Sequence, residues 1–142
     1  MDNRYDNSDC DRLEGIKDIK EGICNIEKGL KDVREALDDL RCGKEREAER
    51  NLINGIRRIK RGVCQVKNGL KDLRHEIDCE DIKDIREGIC EICRGLDELC
   101  DALKDLRRGR ECDAESRLVN GICLVERGLC KINEGLKGIR KD

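Results

Sequence analysis

Apolar residues recur at alternating three- and four-residue steps through four long stretches of this chain, and a glycine stands immediately before the first apolar position of most heptads. The first series is Ile16, Ile19, Ile23, Ile26, Leu30, Val33, Leu37, Leu40, and the second Ile56, Ile59, Val63, Val66, Leu70, Leu73. The third runs Ile82, Ile85, Ile89, Ile92, Leu96, Leu99, Leu103, Leu106, and the fourth Ile122, Val125, Leu129, Ile132, Leu136, Ile139. A sustained 3.5-residue period specifies left-handed coiled-coil packing of helices and excludes strands, which need alternation. With the first apolar position of each heptad called a and the second d, the glycines occupy g: Gly15, Gly22, Gly29, Gly55, Gly62, Gly69, Gly88, Gly95, Gly121, Gly128 and Gly135. Ala36, Ala48, Ala102 and Ala114 complete the stripe. A glycine inside a helix costs roughly 0.8–1 kcal/mol against alanine, so a repeated stripe needs a compensating gain. Close approach of two backbones, with the dispersion contacts it brings, is the expected one.

The helices come in duplicate. "IKDIKEGICNIEKGLKDVREALDDLRCGKEREAERNLINGI" from Ile16 aligns without a gap to "IKDIREGICEICRGLDELCDALKDLRRGRECDAESRLVNGI" from Ile82, an offset of 66 residues, and each half repeats the template again from Ile56 and Ile122. Arginines followed by Gly43 or Gly109, then acidic residues, mark two helix ends and two starts. "EIDCEDI" breaks the heptad, and Asp78 can cap the third helix. The expected helices cover about 10–41, 44–77, 79–108 and 110–140. Short connections force antiparallel neighbours, so the expected fold is all-α: an up-down-up-down four-helix bundle with an internal pseudo-twofold repeat. Residues 1–9 read as a flexible polar leader, and 10–142 as a single domain of two helical hairpins, about 10–77 and 79–142.

Composition narrows the function classes. Lys and Arg total 31 against 33 Asp and Glu, so no charge imbalance favours nucleic acid or an anionic membrane as partner. Phe and Trp are absent, which removes stacking on bases. No apolar run approaches the roughly 20 residues of a membrane span, and the leader lacks the features of a secretory signal. Synthesis in a cytosol is expected. Eleven cysteines conflict with that expectation, because cytosolic thiols usually stay reduced unless they bind metal or do redox work.

The cysteines follow the heptad. Cys10, Cys24, Cys64, Cys90, Cys123 and Cys130 follow an a position by one residue (position b), and Cys93, Cys100 and Cys112 follow one by four (position e). These two positions adjoin each other across the apolar stripe from the glycines. Each helix should therefore meet one neighbour through glycine and the other through cysteine. Cys24, Cys64, Cys90, Cys93, Cys100, Cys123 and Cys130 ring the waist as interhelix disulfide candidates. Cys42 and Cys112 lie at one end, Cys10 and Cys79 at the other, as candidates for intermolecular cross-links. Two pairing schemes stay open: Cys24 with Cys64 and Cys90 with Cys130, or Cys64 with Cys90 or Cys93 and Cys24 with Cys130. Both exclude a link between Cys24 and Cys90 on diagonal helices.

Catalytic constellations are not evident, and no enzyme activity is expected. The one histidine, His75, takes an outward register, and Glu45, Glu49, Glu111 and Glu115 point inward only in the first turns of helices, where the dipole favours them. No cysteine occupies a or d, unlike the copper-storage four-helix bundles, whose thiols point inward. No metal site and no cofactor are expected. "CEIC" (Cys90, Cys93) is at most half of a soft-metal site, and it lacks the strand–helix context of a thioredoxin-type redox motif.

With its cysteine-dotted helices, as in "GICEICRGLDELCDALKDL", the chain resembles the small cysteine-rich exosporium morphogenetic proteins of spore-forming clostridia. That resemblance implies a self-assembling building block of the outer spore layer, made without a signal peptide in the mother-cell cytosol and cross-linked by disulfides at the spore surface. Its implied partners are further copies of itself and other cysteine-rich coat proteins, with neither nucleic acid nor membrane. The alternative is a thiol-based metal-binding or storage protein for copper or zinc.

Overall fold

Two glycines turn the chain back on itself. Gly43 and Gly109 adopt φ of 79° and 77°, the left-handed region that side chains disfavour. Around each, the same pair of hydrogen bonds closes the helix end. The Gly43 N–H donates to the Leu40 carbonyl at 3.1 Å and the Lys44 N–H to that of Asp39 at 2.8 Å. Gly109 and Arg110 do the same to Leu106 and Asp105. These are Schellman caps, which satisfy carbonyls left open at a helix terminus. Gly43→Ala or Gly109→Ala should each lower stability by about 1 kcal/mol, read as a downward shift in thermal melting with unchanged helix content.

The computed structural model describes the backbone of residues 3–73 and 79–141 and the side chains of 12–73 and 80–139. It contains four helices: α1 (Asn3–Arg41), α2 (Glu45–Leu73), α3 (Cys79–Arg107) and α4 (Glu111–Lys141). Among the described residues there is no strand. The chain is an all-α, antiparallel four-helix bundle, with helix boundaries close to those read from the sequence except at the start; the expected end of the second helix at 77 lies outside the described residues. α1 begins at Asn3 rather than near residue 10, and so takes in most of the segment read as a leader. His75 and Asp78 fall outside the described residues, as do the side chains of Cys10 and Cys79.

One aliphatic core runs through all four helices. Its d residues, such as Ile19, Ile26, Leu52, Ile59, Ile85, Ile92, Leu118 and Ile132, are 0% exposed, whereas a residues such as Ile23, Leu37, Leu70, Ile89 and Ile122 keep 7–9%. The difference follows from the helix neighbours. α1 packs intimately on α2, and α3 on α4, while α2–α3 and α1–α4 are much thinner contacts. The bundle is therefore two tight hairpins docked face to face. Arg41 bonds Glu115 from α1 to α4 and Arg107 bonds Glu49 from α3 to α2, both at 3.1 Å. The second pair is the first displaced by 66 residues, so the sequence repeat becomes a pseudo-twofold axis between the hairpins.

Candidate functional site

Two kinds of seam decide where the cysteines can act. Within a hairpin the seam is glycine against glycine. A Cβ built on Gly22 would lie 2.5 Å from the Gly62 carbonyl oxygen, and one on Gly62 would lie 2.5 Å from that of Gly22. Gly15 faces Gly69 and Gly29 faces Gly55 in the same reciprocal way. In the second hairpin Gly88 faces Gly128 and Gly95 faces Gly121. Each glycine also receives a d side chain of the facing helix: Val66 lies over Gly22, Ile26 over Gly62 and Ile92 over Gly128. Backbones this close leave no room for a side chain, so the stripe is what sets the interhelix distance. Gly135 faces Asp81, which stands where the stripe would otherwise carry a glycine, and Gly138 makes the room: a Cβ there would strike the Asp81 carboxylate.

A polar ladder lies beside each glycine seam at position c. Asn25 bonds Gln65, Asn51 donates to Asp39 at 2.7 Å, and Arg58 pairs with Asp32 at 3.2 Å. In the second hairpin Lys131 bonds Glu91 and Arg117 bonds Asp105, each at 2.9 Å. The Glu91 bond raises the Lys131 ammonium above its ordinary pKa, against partial desolvation. These rungs seal the outer edge of the seam and fix its register.

The glycine seams thus take one flank of every helix, and the cysteine flank is left to the contacts between hairpins. By heptad register Cys64, Cys90, Cys93 and Cys100 fall on the α2–α3 side and Cys24, Cys123 and Cys130 on the α1–α4 side; Cys90 lines a groove with α2 residues and Cys64 acts on Cys93. Cys24 also lines a hollow with Asn25 and with Gln65 of α2, so both pairing schemes stay open. Cys24, Cys42, Cys64, Cys90, Cys112, Cys123 and Cys130 are exposed, while Cys93 and Cys100 are half-buried and pack on the core.

On α2–α3 the Cys64 and Cys90 thiols both act on Cys93. The Arg107–Glu49 bond sets the register there, and it brings Cys64 level with Cys93. Burial pushes the Cys93 thiol above its ordinary pKa; the Lys67 ammonium opposes this, and Cys90, Asp97 and Cys64 add to it. A higher thiol pKa means less thiolate, which makes Cys93 less reactive than an ordinary cysteine thiol. The equivalent α1 position is Glu27, so the α1–α4 seam has no counterpart to Cys93. Among the described residues, no group of three or more Cys, His, Asp or Glu side chains is arranged to hold a metal ion.

The turn end carries the charges read as inward-facing. Glu49 and Glu115 are taken up by Arg107 and Arg41. Glu45 and Glu111 meet each other across the pseudo-twofold axis, and their shared hydrogen bond, with the repulsion between them, raises the Glu111 carboxyl above the usual carboxylate range. Cys42 and Cys112 are both exposed at this end.

Comparison with protein-family models, with curated proteins and with solved structures finds no match for this chain. Among the described residues no helix is long and apolar enough to cross a membrane. The c-position ladder and Gly138 lie outside the apolar and glycine pattern of the heptads. The signal for the ladder was present, because Asn25, Asp32 and Asp39 follow one another at seven-residue spacing. Gly138 falls outside the stripe, and only its contact with Asp81 gives it meaning.

Proposed function

We propose that this chain is a structural, self-assembling protein, a disulfide-cross-linked building block of a spore outer layer, with no catalytic role. The observation that carries this reading is the outward placement of its thiols. Cys24, Cys42, Cys64, Cys90, Cys112, Cys123 and Cys130 are exposed at the turn end and along both inter-hairpin seams, around an aliphatic core. A rigid rod with thiols at an end and around its waist has more than two linking points, which is enough for a sheet or network. Near-balanced charge, 31 basic against 33 acidic residues, lets copies approach before oxidation fixes them. Further copies of this chain and other cysteine-rich coat proteins are the partners, and the spore surface is the place where the thiols meet an oxidising medium.

The test is assembly itself. Concentrated protein under oxidising conditions should form ordered assemblies that run as ladders on a denaturing gel until reductant is added. Replacing Cys10, Cys42, Cys79 and Cys112 by serine should shorten the ladders and leave the circular-dichroism spectrum of the bundle unchanged, because the core is untouched. Protein that stays monomeric under these conditions would remove the coat reading. Bound copper or zinc, seen by native mass spectrometry and lost to a chelator, would put thiol-based metal storage in its place.

A further inference from the structure

Cys90 stands on the wall of a groove between α2 and α3, about 410 Å³ in volume, lined otherwise by Lys67, Leu70, Lys71, Arg86 and Ile89. Leu70 and Ile89 belong to the core and form an apolar floor, while the three cations form the rim. A second hollow on the other side of Cys90 adds Lys83 and Arg94, and the carboxylates there, Glu87 and Glu91, are held by Lys131 at 3.9 and 2.9 Å. Charge around this exposed thiol is therefore strongly positive. The pseudo-twofold mate of Cys90 is Cys24: the counterpart of the second hollow is lined by Lys20, Glu21, Asn25, Lys28 and Gln65, and the positions equivalent to Lys67, Lys71 and Arg86 are Asn133, Lys137 and Lys20. The same thiol position therefore has more cations around it at Cys90 than at Cys24, Lys67 being the one replaced by a neutral residue in the second setting.

We propose that the α2–α3 groove captures anionic low-molecular-weight disulfides, and that Cys90 is the thiol that reacts with them. Carboxylates of the reagent seat on Lys67, Lys71 and Arg86, and its carbon skeleton covers Leu70 and Ile89. Cys90 gives its proton to solvent, and the thiolate attacks one sulfur of the reagent. A bond forms between Cys90 Sγ and that sulfur as the reagent's own S–S bond breaks. The other half leaves as a thiolate and takes up a proton, so Cys90 is oxidised and the leaving half reduced. This inference goes beyond the assembly reading and stands without it, since it concerns the single molecule.

The experiment treats fully reduced monomer with limiting oxidised glutathione, quenches in acid and maps modified cysteines by mass spectrometry against time. Parallel samples receive cystamine, a cationic disulfide, and a neutral alkylating reagent that reports accessibility alone. Relative to its accessibility, Cys90 should react with oxidised glutathione about tenfold faster than Cys24. With cystamine that advantage should vanish. The exposed pair Lys67→Glu and Lys71→Glu, checked for native helix content, should bring the glutathione rate at Cys90 down to that of Cys24. Rising ionic strength should shrink the difference in wild type. Equal rates at Cys90 and Cys24, or equal rates with the anionic and cationic reagents, would overturn the proposal. Failure to polymerise would leave it untouched.

Discussion

Protein carrying Gly22→Leu and Gly62→Leu should show no cooperative melting transition under conditions where the wild type is folded. The atoms in the way are backbone atoms: the Gly62 carbonyl oxygen at 2.5 Å from a Cβ on Gly22, and the Val66 nitrogen at 3.0 Å. They can yield only by moving a whole helix, which uncovers d residues that are now 0% exposed. The alanine variant makes the sharper test. On a solvent-facing surface Gly22→Ala would stabilise the helix by about 1 kcal/mol through propensity. At this seam overpacking should outweigh that gain and give a net loss of about 1–3 kcal/mol. A raised melting temperature for Gly22→Ala would show that the stripe does not set the interhelix distance.

Mild oxidation should link Cys64 to Cys93 and raise stability by about 3–4 kcal/mol on the chain-entropy estimate for a loop of this length. The gain should be lost on reduction and absent in Cys93→Ser. The reason for choosing this pair is register: the two residues are level on the α2–α3 seam, and both Cys64 and Cys90 bear on the Cys93 thiol. A peptide map dominated by Cys24–Cys64 would instead select the scheme that staples within hairpins. One dominated by Cys24–Cys90 would contradict the bundle topology, since those residues lie on diagonal helices.

The heptads, the turn glycines and the g-position stripe were legible in the sequence because each is a repeated local requirement. Ile16 through Leu40 can only be a helix with one apolar face, and Gly43 can only be where it ends. Which neighbour each flank would face was not legible. In an antiparallel bundle the g and e flanks are interchangeable in pattern, and the choice rests on a difference in size. Glycine at Gly22 and Gly62 permits closer contact than Cys64 or Lys67 could, and α1 takes α2 as its close partner. Contacts that occur only once in the bundle, such as Gly138 against Asp81 or Lys67 beside Cys93, were hidden for a different reason. They break the repeat, and periodicity reveals only what recurs. The start of α1 was missed because "DNRYDNSD" offers no apolar period to extend the helix.

The unequal seams also imply an order of events during folding. Contacts within each hairpin join residues near in sequence, and zipping from Gly43 or Gly109 closes only short loops at each step. Each hairpin is therefore expected to form early and as a unit, with docking as the slower, separable stage. Local opening should retrace this path, parting α2 from α3 before α1 from α2. Hydrogen exchange would read that sequence as two tiers of amide protection. The slowest-exchanging amides should lie beside the glycines, the residues with the poorest helix propensity in the chain.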